Sequence, residues 1–402
     1  DYAVVIWVDS GVPDSDKGRV GMVKFNMMKD ALKNFHDKTF KIVAIHHHTI
    51  PIPKAGRERN VLSNAGDLLD LFLKSDVDLV LSGHRHHPNV YKVEDTIFVN
   101  AGTVSATKTR YGDVNSYNTI EITDDDIAVN VHRIGNTFKK HRFTRKDKRT
   151  FHDFGDRINR IFHISNTFIS NSNKFLPSHF NNAVKKINEL EGDVVVHCGG
   201  IVKEGIAKDY ELAVDYMKKI KVPVIYTPAG RDINYLGYDL FPENFGKLDQ
   251  DFTIEETFLQ GISSSQYDSP IGIVGDTERN AIIEKLKDRE ENFKCIFLHH
   301  NVVPIPHSRE KGLLEDSGDL LREAVDAEID LILTGTSSHP FAVKVGDTVI
   351  VNANSLSSVY QRSLYGNSFN MIDVYERTIV VSEINSLWGT RRILGMWNRN
   401  GV

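Results

Sequence analysis

The chain has 402 residues, enough for two or three domains that each bury their own core. Its apolar content of 40% and charged content of 26% are ordinary for globular proteins. The net charge of −5 argues against a general binder of nucleic acids or membrane surfaces. No apolar run approaches the roughly 18–20 residues that span a bilayer, and two cysteines are too few for a disulfide framework. We therefore expect a cytoplasmic protein without a membrane span.

The N-terminus reads DYAVVIWVDSG and starts without Met, directly inside the apolar pattern of a strand. We interpret WVDSG, which includes Asp9 and Ser10, as the end of that strand with a structural role. A start within a strand predicts that earlier sequence is missing from this chain.

The chain contains an internal repeat, which predicts a duplicated domain. Three pairs of segments match in order: FKIVAIHHHTIPIP (40–53) with FKCIFLHHNVVPIP (293–306), AGDLLDLFLKSDVDLVLSGHRHHP (65–88) with SGDLLREAVDAEIDLILTGTSSHP (317–340), and DTIFVNAGTVSA (95–106) with DTVIVNANSLSS (347–358). His46 lies 38 positions before His84, and His299 lies 37 positions before Thr336. The single-residue difference falls in a polar loop, where insertions are tolerated.

Each copy of the repeat alternates strand and helix patterns. The segments FKIVAIHH, VDLVLSG and TIFVNAG are apolar and β-branched, as buried strands are. GDLLDLFLKS has helical spacing, with Ser63 or Asn64 as its N-cap. YNTIEITDDDIAVNVHRI predicts a hairpin that closes the first copy. This alternation predicts a layered α/β fold with site residues in the loops that follow the strands.

The predicted domains are residues 1–135 and 159–402, joined by a basic linker at 136–158. We interpret the linker as a solvated connector, because no aromatic stacking pattern accompanies its charges; a phosphate or nucleic-acid contact is the alternative. The second copy has additional strand and helix patterns upstream of its repeat. By this internal comparison the first copy lacks roughly 94 residues that the second one keeps.

Histidines concentrate where two predicted strands of the first copy end. HHH at 46–48 follows one strand, and GHRHH at 83–87 follows the next. This pattern resembles the C-terminal half of calcineurin-like metallophosphoesterases, whose motifs run D-x-H, G-D-x-x-D, G-N-H-D, H and G-H-x-H. The resemblance covers nearly the whole chain. It implies two tandem α/β/β/α sandwich domains, of which the first is incomplete, and a two-metal site.

By this resemblance the metal ligands of the first copy are His46, His84 and His86, with His47 as the alternative to His46. His48 and His87 are expected at the surface or behind the ligands. Mixed nitrogen and oxygen ligation suits Mn, Fe, Zn or Ni better than Mg or Ca. Two such ions about 3.5–4 Å apart clamp a phosphate and activate a bridging water. The bridging Asp and the Asn of the family would precede residue 1.

The second copy has lost most of these ligands. Seven positions correspond to the family's motifs: Asn166, Phe168, Gly200, Arg231, His299, Thr336 and Ser338. Only His299 keeps a ligand residue type, so we expect no metal in this copy and a hydrogen-bonded role for His299. Arg231 is expected to form a salt bridge or to bind an anion such as phosphate. Whether Asp232 replaces the family's next His is left open.

The predicted function is metal-dependent hydrolysis of phosphomonoesters or phosphodiesters by the full-length first domain. The second domain is predicted to be catalytically dead and to offer a contact for a partner or a second copy. The alternative is a non-catalytic binding or scaffold protein built from the same two domains. The sequence names no particular substrate, and it implies no nucleic-acid or membrane partner.

Overall fold

The computed structural model describes residues 3–36, 38–54, 61–109, 112–135, 137–145, 154–308 and 312–399. It divides into two compact units. The first unit comprises Asp1–Thr150, Val303–Glu310 and Glu315–Arg322, and the second comprises Phe151–Val302, Lys311–Leu314 and Glu323–Val402. No helix in the described ranges is both long and apolar enough to span a membrane.

The first 150 residues form eight strands and two helices within the described ranges. In chain order they are β1 (Ala3–Val8), α1 (Met22–Asn34), β2 (Phe40–Ile45), α2 (Ala65–Lys74), β3 (Leu79–Ser82), β4 (Asn89–Val93), β5 (Thr96–Asn100), β6 (Ser116–Ile122), β7 (Asp126–Arg133) and β8 (Thr137–Thr144). The predicted strands, helix and hairpin of this half are all present. Asn64 is the N-cap of α2, but its side-chain oxygen accepts from Val20 N at 3.2 Å and does not cap the helix.

Two sheets make up the first unit. One has the order β1-β2-β3-β5-β4, in which β4 alone is antiparallel to its neighbour β5. The other is the antiparallel sheet β6-β7-β8. Buried side chains of β2, β3, β5 and β7 pack together, among them Phe40, Leu79, Ile97 and Val129. Burial of these apolar side chains stabilises the unit.

The remainder of the chain forms twelve strands and six helices within the described ranges. They are β9 (Arg157–Ile164), α3 (Pro177–Glu189), β10 (Val194–His197), α4 (Ala207–Met217), β11 (Val224–Tyr226), α5 (Gly230–Ile233), α6 (Gly237–Phe245), β12 (Asp251–Ile254), β13 (Thr257–Ile262), α7 (Asp276–Lys287), β14 (Phe293–Leu298), α8 (Ser317–Asp326), β15 (Leu331–Thr334), β16 (Phe341–Val345), β17 (Thr348–Asn352), β18 (Ser368–Tyr375), β19 (Thr378–Asn385) and β20 (Arg391–Asn398).

The second unit also has two sheets. β13, β14, β15 and β17 run parallel, with β12 antiparallel to β13 and β16 antiparallel to β17. The other sheet has six strands in the order β11-β10-β9-β18-β19-β20. Side chains of both sheets meet in one core, including Val196, Phe297, Leu333 and Ile372. A further core forms where α3, α4 and α6 pack on β9–β11, around Phe162, Phe180 and Phe241. The predicted α/β fold class is confirmed.

The order of elements from β1 to β8 recurs from β13 to β20, helices included. Side-chain contacts recur as well. Lys41 N donates to Asp78 Oδ2 at 2.8 Å, and Lys294 N donates to Asp330 Oδ2 at 2.8 Å. The elements β9 to β12 have no counterpart among the described residues of the first unit. Their presence makes the second sheet six strands wide, where the first unit has three.

Residues 303–322 contribute reciprocal contacts within the first unit. His307 N donates to Asp67 Oδ1 at 2.8 Å, and Lys54 N donates to Asp319 Oδ1 at 2.7 Å. Both carboxylates lie in the first turn of a helix, α2 and α8 respectively. Lys54 and His307 both have left-handed backbones, with φ of 57° and 63°. Each Pro-Ile-Pro loop is therefore anchored at a helix start.

The structure differs from the expected linker at its first residues. Residues 137–144 form β8, which pairs with β7 along its whole length, and Arg157 already belongs to β9. The alternation of apolar and basic residues in TFKKHRFT suits a half-exposed strand, and this strand pattern was overlooked. Residues 146–153 lie outside the described ranges, so the predicted domain boundaries remain a prediction.

Candidate metal centre

The histidine loops of the first unit follow two neighbouring parallel strands. HHH begins directly after β2, and GHRHH follows β3, whose Leu81 pairs with Ala44 of β2. Gly83 N donates to the His46 carbonyl oxygen at 2.9 Å, which joins the two loops. The carboxyl ends of parallel strands are where sites form in α/β sheets.

Three imidazoles meet at this edge. The ring nitrogens of His46, His47 and His84 all lie within 4.8 Å of one another. His84 Nδ1 and His46 Nε2 are 3.3 Å apart, and the ring centroids of His47 and His84 are 4.2 Å apart. His46 is exposed, His84 is half-buried and His47 is buried. Imidazole is the ligand type that suits Zn, Cu, Fe and Ni.

Both ring nitrogens of His47 are engaged by the protein. Its Nδ1 lies 2.8 Å from Ser10 Oγ, and its Nε2 lies 3.2 Å from the Asp16 carbonyl oxygen. A Cβ added at Gly18 would lie 2.3 Å from His47 Cγ, so only glycine fits beside the ring. Because its lone pair is already used, His47 is the poorer metal ligand of the HHH triplet, and the geometry favours His46 over it.

His84 and His86 sit in a left-handed backbone conformation, with φ of 75° and 55°. Such conformations are costly for residues other than glycine and cluster at functional sites. His86 lies outside the three-imidazole cluster. Its Nδ1 donates to the Lys108 carbonyl oxygen at 3.0 Å. The other ring nitrogen, Nε2, therefore carries a lone pair in this tautomer. A backbone carbonyl on one ring nitrogen is the usual arrangement behind a metal-bound histidine.

Two of the three rings, His47 and His84, have lowered pKa values. Burial, and then the neighbouring His47, Arg85 and His46, lower the pKa of His84 to about 4. The pKa of His47 is lowered by burial and by His46. At neutral pH these rings therefore carry lone pairs and no charge, which is the state that binds metal ions.

His48 and His87 are both buried. His87 Nδ1 lies 2.8 Å from Asp113 Oδ2, and Arg133 Nε donates to the other oxygen of Asp113 at 3.2 Å. Neither ring nitrogen of His48 has a hydrogen-bond partner among the described residues, and burial holds its pKa well below the usual range. Neither residue lies at the surface.

The described residues fit one divalent ion better than two. His46 and His84 offer ring nitrogens to one such ion, whereas His47 is engaged by Ser10 and Asp16, and the cluster includes no carboxylate within the described ranges. Asp9, the residue before Ser10, is exposed, and its Oδ2 pairs with Lys24 Nζ at 2.8 Å. A two-metal site would need a bridging carboxylate from elsewhere.

The corresponding place in the second unit is closed by protein. Asn166 Nδ2 donates to the Gly335 carbonyl oxygen and lies 3.4 Å from Ser338 Oγ. A Cβ added at Gly200 would lie 2.5 Å from Asn166 Oδ1, and Gly200 has a φ of 73°. A side chain at this position would be strained and would displace Asn166.

His299 and Thr336 are also used internally. His299 Nδ1 donates to the Cys198 carbonyl oxygen at 2.7 Å, and Thr336 Oγ1 donates to the His299 carbonyl oxygen at 2.7 Å. Burial lowers the pKa of His299 to about 4. Its ring is therefore neutral at pH 7, but Thr336 and Ser338 stand at the positions that correspond to His84 and His86 of the first unit.

Arg231, Phe168 and Asp232 line the same edge of the second unit. The Arg231 guanidinium carbon lies 5.7 Å from the Phe168 ring centre. Arg231 is exposed, and no carboxylate in the described ranges pairs with it. Asp232 is fully buried and accepts from Gly200 N, Ala229 N and Val202 N at 2.8–3.0 Å. Burial raises its pKa to about 6, and its backbone partners show that this carboxyl anchors the loops.

Ser10 was not recognised from the sequence as part of the site. Ser264 contacts His300 Nδ1 at 2.9 Å as Ser10 contacts His47, and a Cβ at Gly272 would lie 2.2 Å from His300 Cγ. Ser10 and Gly18 are both 254 positions from these counterparts. Extending the repeat upstream of residue 40 would have revealed both residues.

The first unit is a layered α/β fold with histidine loops at the ends of two neighbouring parallel strands. Residues 17–125 match the family model of the calcineurin-like phosphoesterase superfamily domain, and this range includes His46, His84 and His86. The match covers roughly a quarter of the chain and agrees with the family predicted from the histidine loops. No curated protein is similar enough in sequence to match the chain.

Three solved structures are similar to this chain over part of its length. A dimetal phosphatase from Danio rerio aligns with a TM-score of 0.50 at 8% identity, over 60% of this chain and 100% of its own. A purple acid phosphatase from yellow lupin (Lupinus luteus) seeds aligns with a TM-score of 0.49 at 11% identity, over 69% of this chain and 60% of its own. The Plasmodium inner membrane complex anchor GAP50 aligns at 0.45 and 13% identity, over 60% and 90%.

Proposed function

We propose that this protein, in its natural form, hydrolyses phosphomonoesters or phosphodiesters with divalent metal ions held by the first unit. His46, His84 and His86 are the proposed ligands. The single observation that carries the proposal is the gathering of His46, His47 and His84 within 4.8 Å inside the range that matches the superfamily domain. Mn, Fe, Zn or Ni are the proposed ions, because imidazole suits them.

Metal ions bound here would polarise a phosphoryl oxygen and lower the pKa of a bound water. The chain's own residues prepare the site for this chemistry. The burial of His84 keeps its ring unprotonated at neutral pH. The Lys108 carbonyl oxygen fixes the tautomer of His86, so that Nε2 presents its lone pair. Ser10 and the Asp16 carbonyl hold His47 in place beside His84.

The second unit is proposed to be catalytically inactive and to bind no metal. Asn166 bridges the loops where a metal would sit, and a side chain at Gly200 would displace Asn166. The second unit is proposed instead to contact a partner or a second copy of the chain. The two units are proposed to have arisen by duplication, because the order of elements from β1 to β8 recurs from β13 to β20.

A cytoplasmic location is part of the proposal. Cys198 and Cys295 are both buried as free thiols, as is usual in a reducing compartment.

The test uses the natural protein isolated from its source. Hydrolysis of p-nitrophenyl phosphate and bis-p-nitrophenyl phosphate is measured after chelation and after adding back each of the four metals. We expect activity only with metal, and a fall of at least about 100-fold in kcat/KM for His84→Ala, since a lost ligand costs more than a lost neighbour. His36→Ala, an exposed histidine outside the cluster, is the matched control.

The outcomes separate the two functions. Absence of hydrolysis of both esters with every metal contradicts the proposal and favours the scaffold alternative. Equal losses in His84→Ala and His36→Ala would show that the imidazole cluster is not the site.

A further inference from the structure

A cleft with a volume of about 460 Å³ lies between α1 and α2 in the first unit. Its apolar wall is formed by Phe25, Leu32 and Phe35 on the α1 side and by Leu71 on the α2 side. The two leucines are buried, whereas the two phenylalanines are half-buried. Binding sites for small molecules have volumes of about 300–1,000 Å³ and largely apolar walls. The cleft therefore has the size and the lining of a small-molecule site.

The α1 side of the cleft also carries positive charge. Lys29 and Lys33 lie one turn apart on α1, and both are exposed and line the cleft. Neither of them pairs with a carboxylate among the described residues. Two cations at this spacing repel each other, and an anion held between their ammonium groups removes that repulsion. This side of the cleft therefore favours a negatively charged ligand.

The carboxylates of the cleft belong to α2 and to the turn that follows it, and they are Asp67, Asp70 and Asp76. Asp70 Oδ2 pairs with Lys74 Nζ at 2.8 Å. Asp67 Oδ1 accepts from His307 N at 2.8 Å and lies 3.5 Å from His307 Nδ1. Because Asp67 and Asp70 already have partners, an anion that lies against α1 meets the two lysines rather than a competing carboxylate pair.

The second unit closes the corresponding groove with a buried ion pair. The two copies align Phe25 with Arg279 and Leu71 with Glu323, at separations of 254 and 252 positions. Arg279 is 4% exposed, and its Nε donates to Glu323 Oε2 at 2.9 Å. This pair joins α7 to α8, where the first unit has two apolar side chains and an open cleft. The cleft is therefore not a by-product of the repeated architecture.

The charged rim differs between the copies as well. Lys29 lies 254 positions before Ile283, which is 6% exposed and belongs to the buried face of α7. At these aligned positions the second unit has charge inside the groove and an apolar residue at its rim. The first unit has the reverse, which is the arrangement that a ligand with an apolar body and a charged group requires.

The cleft is separate from the histidine cluster. Lys41, which lines the cleft, is the second residue of β2, and His46 directly follows the end of that strand. Five residues of strand span about 16 Å, at about 3.3 Å per residue. A ligand in the cleft therefore lies at the opposite edge of the sheet from the candidate metal centre.

We propose that this cleft binds a small organic anion. The apolar body of the ligand packs against the phenylalanine rings and Leu71. Its carboxylate, sulfonate or phosphate group lies between the ammonium groups of Lys29 and Lys33, where charge-assisted hydrogen bonds hold it. The inference goes beyond the proposed hydrolysis and does not depend on it, because no residue of the histidine cluster lines the cleft.

Fluorescence titration of the 402-residue chain tests the inference with two matched probes. Anilinonaphthalene sulfonate is an aromatic anion whose emission rises in apolar surroundings, and phenylnaphthylamine has the same rings without the sulfonate. A variant with Lys29→Gln and Lys33→Gln should raise the Kd of the sulfonate probe at least about 10-fold, since charge-assisted contacts are lost. The Kd of the neutral probe should change by less than about 2-fold, because the apolar wall is intact.

The control variant carries Lys208→Gln and Lys218→Gln, two exposed lysines of the second unit. It should bind both probes as the unmodified chain does. A third variant, with Phe25→Arg and Leu71→Glu, introduces the ion pair of the second unit and should weaken both probes at least about 10-fold, because the pair fills the cleft. If this variant does not fold, the exposed lysine variant still decides the question.

Two results would overturn the inference. One is a sulfonate Kd that is the same in the folded lysine variant as in the unmodified chain, since the probe then binds elsewhere. The other is an equal loss of affinity for both probes in the lysine variant, since the lysines then do not select for a negative charge. Circular dichroism and the melting temperature establish that each variant is folded.

Discussion

His47 and His300 are held by the same set of contacts in the two units. Ser10 and Ser264 each place a hydroxyl at hydrogen-bond distance from a ring Nδ1, at 2.8 and 2.9 Å. Each hydroxyl also accepts the histidine backbone N–H at 3.3 Å. Both sets are buried, so the hydroxyl cannot be replaced by solvent. Ser10 and Ser264 therefore each orient a histidine ring. Because this contact occurs in both units, it is not specific to metal binding.

Ser10→Ala and Ser264→Ala should each lower the free energy of unfolding by about 1–3 kcal/mol, because each leaves a buried ring nitrogen without its partner. Chemical denaturation measures both losses. Ser178→Ala, on an exposed position, should change stability by less than about 0.5 kcal/mol. Losses in the two variants that differ by more than about 2 kcal/mol would contradict the equivalence of the two contacts.

Gly200→Asp restores the residue type of a bridging ligand but should not restore a site. Its Cβ would meet Asn166 Oδ1, and its backbone φ of 73° disfavours any side chain. We expect a loss of about 2–4 kcal/mol in the free energy of unfolding, from strain and the displaced Asn166.

Calorimetric titration with Zn²⁺ should show no new binding in Gly200→Asp. A stable Gly200→Asp protein that gains a metal site would show that the second unit still has room for one.

Each Pro-Ile-Pro loop packs closely against the start of a helix. A Cβ added at Gly66 would lie 2.2 Å from the Ile305 carbonyl oxygen, and one at Gly318 would lie 2.0 Å from the Ile52 carbonyl oxygen. These backbone atoms cannot move aside without disturbing the helix starts that Asp67 and Asp319 anchor. Glycine is required at both positions for its size, not for its backbone angles.

Gly66→Ala and Gly318→Ala should therefore each destabilise the first unit by about 2 kcal/mol or more, despite the better helix propensity of alanine. Thermal denaturation measures the change. Gly21→Ser is the control, since nothing lies within 4 Å of a Cβ there and serine is a good N-cap for α1. Unchanged melting temperatures in the two alanine variants would mean that the loops are not packed as described.

The strands and helices of the repeat were predictable because their apolar periodicity is strong. FKIVAI and GDLLDLFLK gave β2 and α2 with boundaries shifted by one or two residues. β8 was missed because its lysines and arginine suggested solvated chain, although its alternation fits an edge strand. The basic charge of this segment obscured its alternation of apolar and polar residues, which the pairing of β8 with β7 reveals.

The candidate site was only partly predictable. Spacing and strand position identified His46 and His84, because parallel strand ends converge. The place of His47 in the cluster and the distance of His86 from it depend on ring orientation. The contacts of Ser10 and the Lys108 carbonyl set those orientations, and both come from distant parts of the sequence. No local pattern encodes such contacts.

At the scale of the molecule, buried histidines make the second unit sensitive to acid. Burial lowers their pKa values to about 3–4, so below pH 6.5 the unfolded chain takes up protons that the folded unit refuses. Stability therefore falls as the pH drops from about 6.5 toward 4. The four residues are His163, His197, His299 and His300.

Two buried carboxyls act in the opposite direction. Burial raises the pKa values of Asp232 and Asp330 to about 6, so the folded unit binds their protons before the unfolded chain does. Their contribution grows as the pH falls from about 6 to 3.8. The four histidines outweigh these two carboxyls, at up to about 1.4 kcal/mol per pH unit for each net proton. Burial also raises the pKa values of four further carboxyls, which offsets part of this effect: Asp209, Asp249, Glu278 and Glu383.

We expect the melting temperature to fall steadily between pH 6.5 and 4.5. Thermal scans at unit intervals from pH 7.5 measure it, with ionic strength held constant. A melting temperature that is flat or rises on acidification would contradict the burial of these rings.

The recurrence of one strand order within a single chain has a consequence for refolding. β2 and β14 are alike in length and apolar character, and so are β3 and β15. A denatured chain therefore offers each strand two near-equivalent neighbours, one of which belongs to the wrong unit. Such non-native pairings bury apolar surface and therefore dissociate slowly, as in other proteins with repeated domains. Synthesis from the N-terminus reduces the competition, because the early strands pair before their later equivalents leave the ribosome.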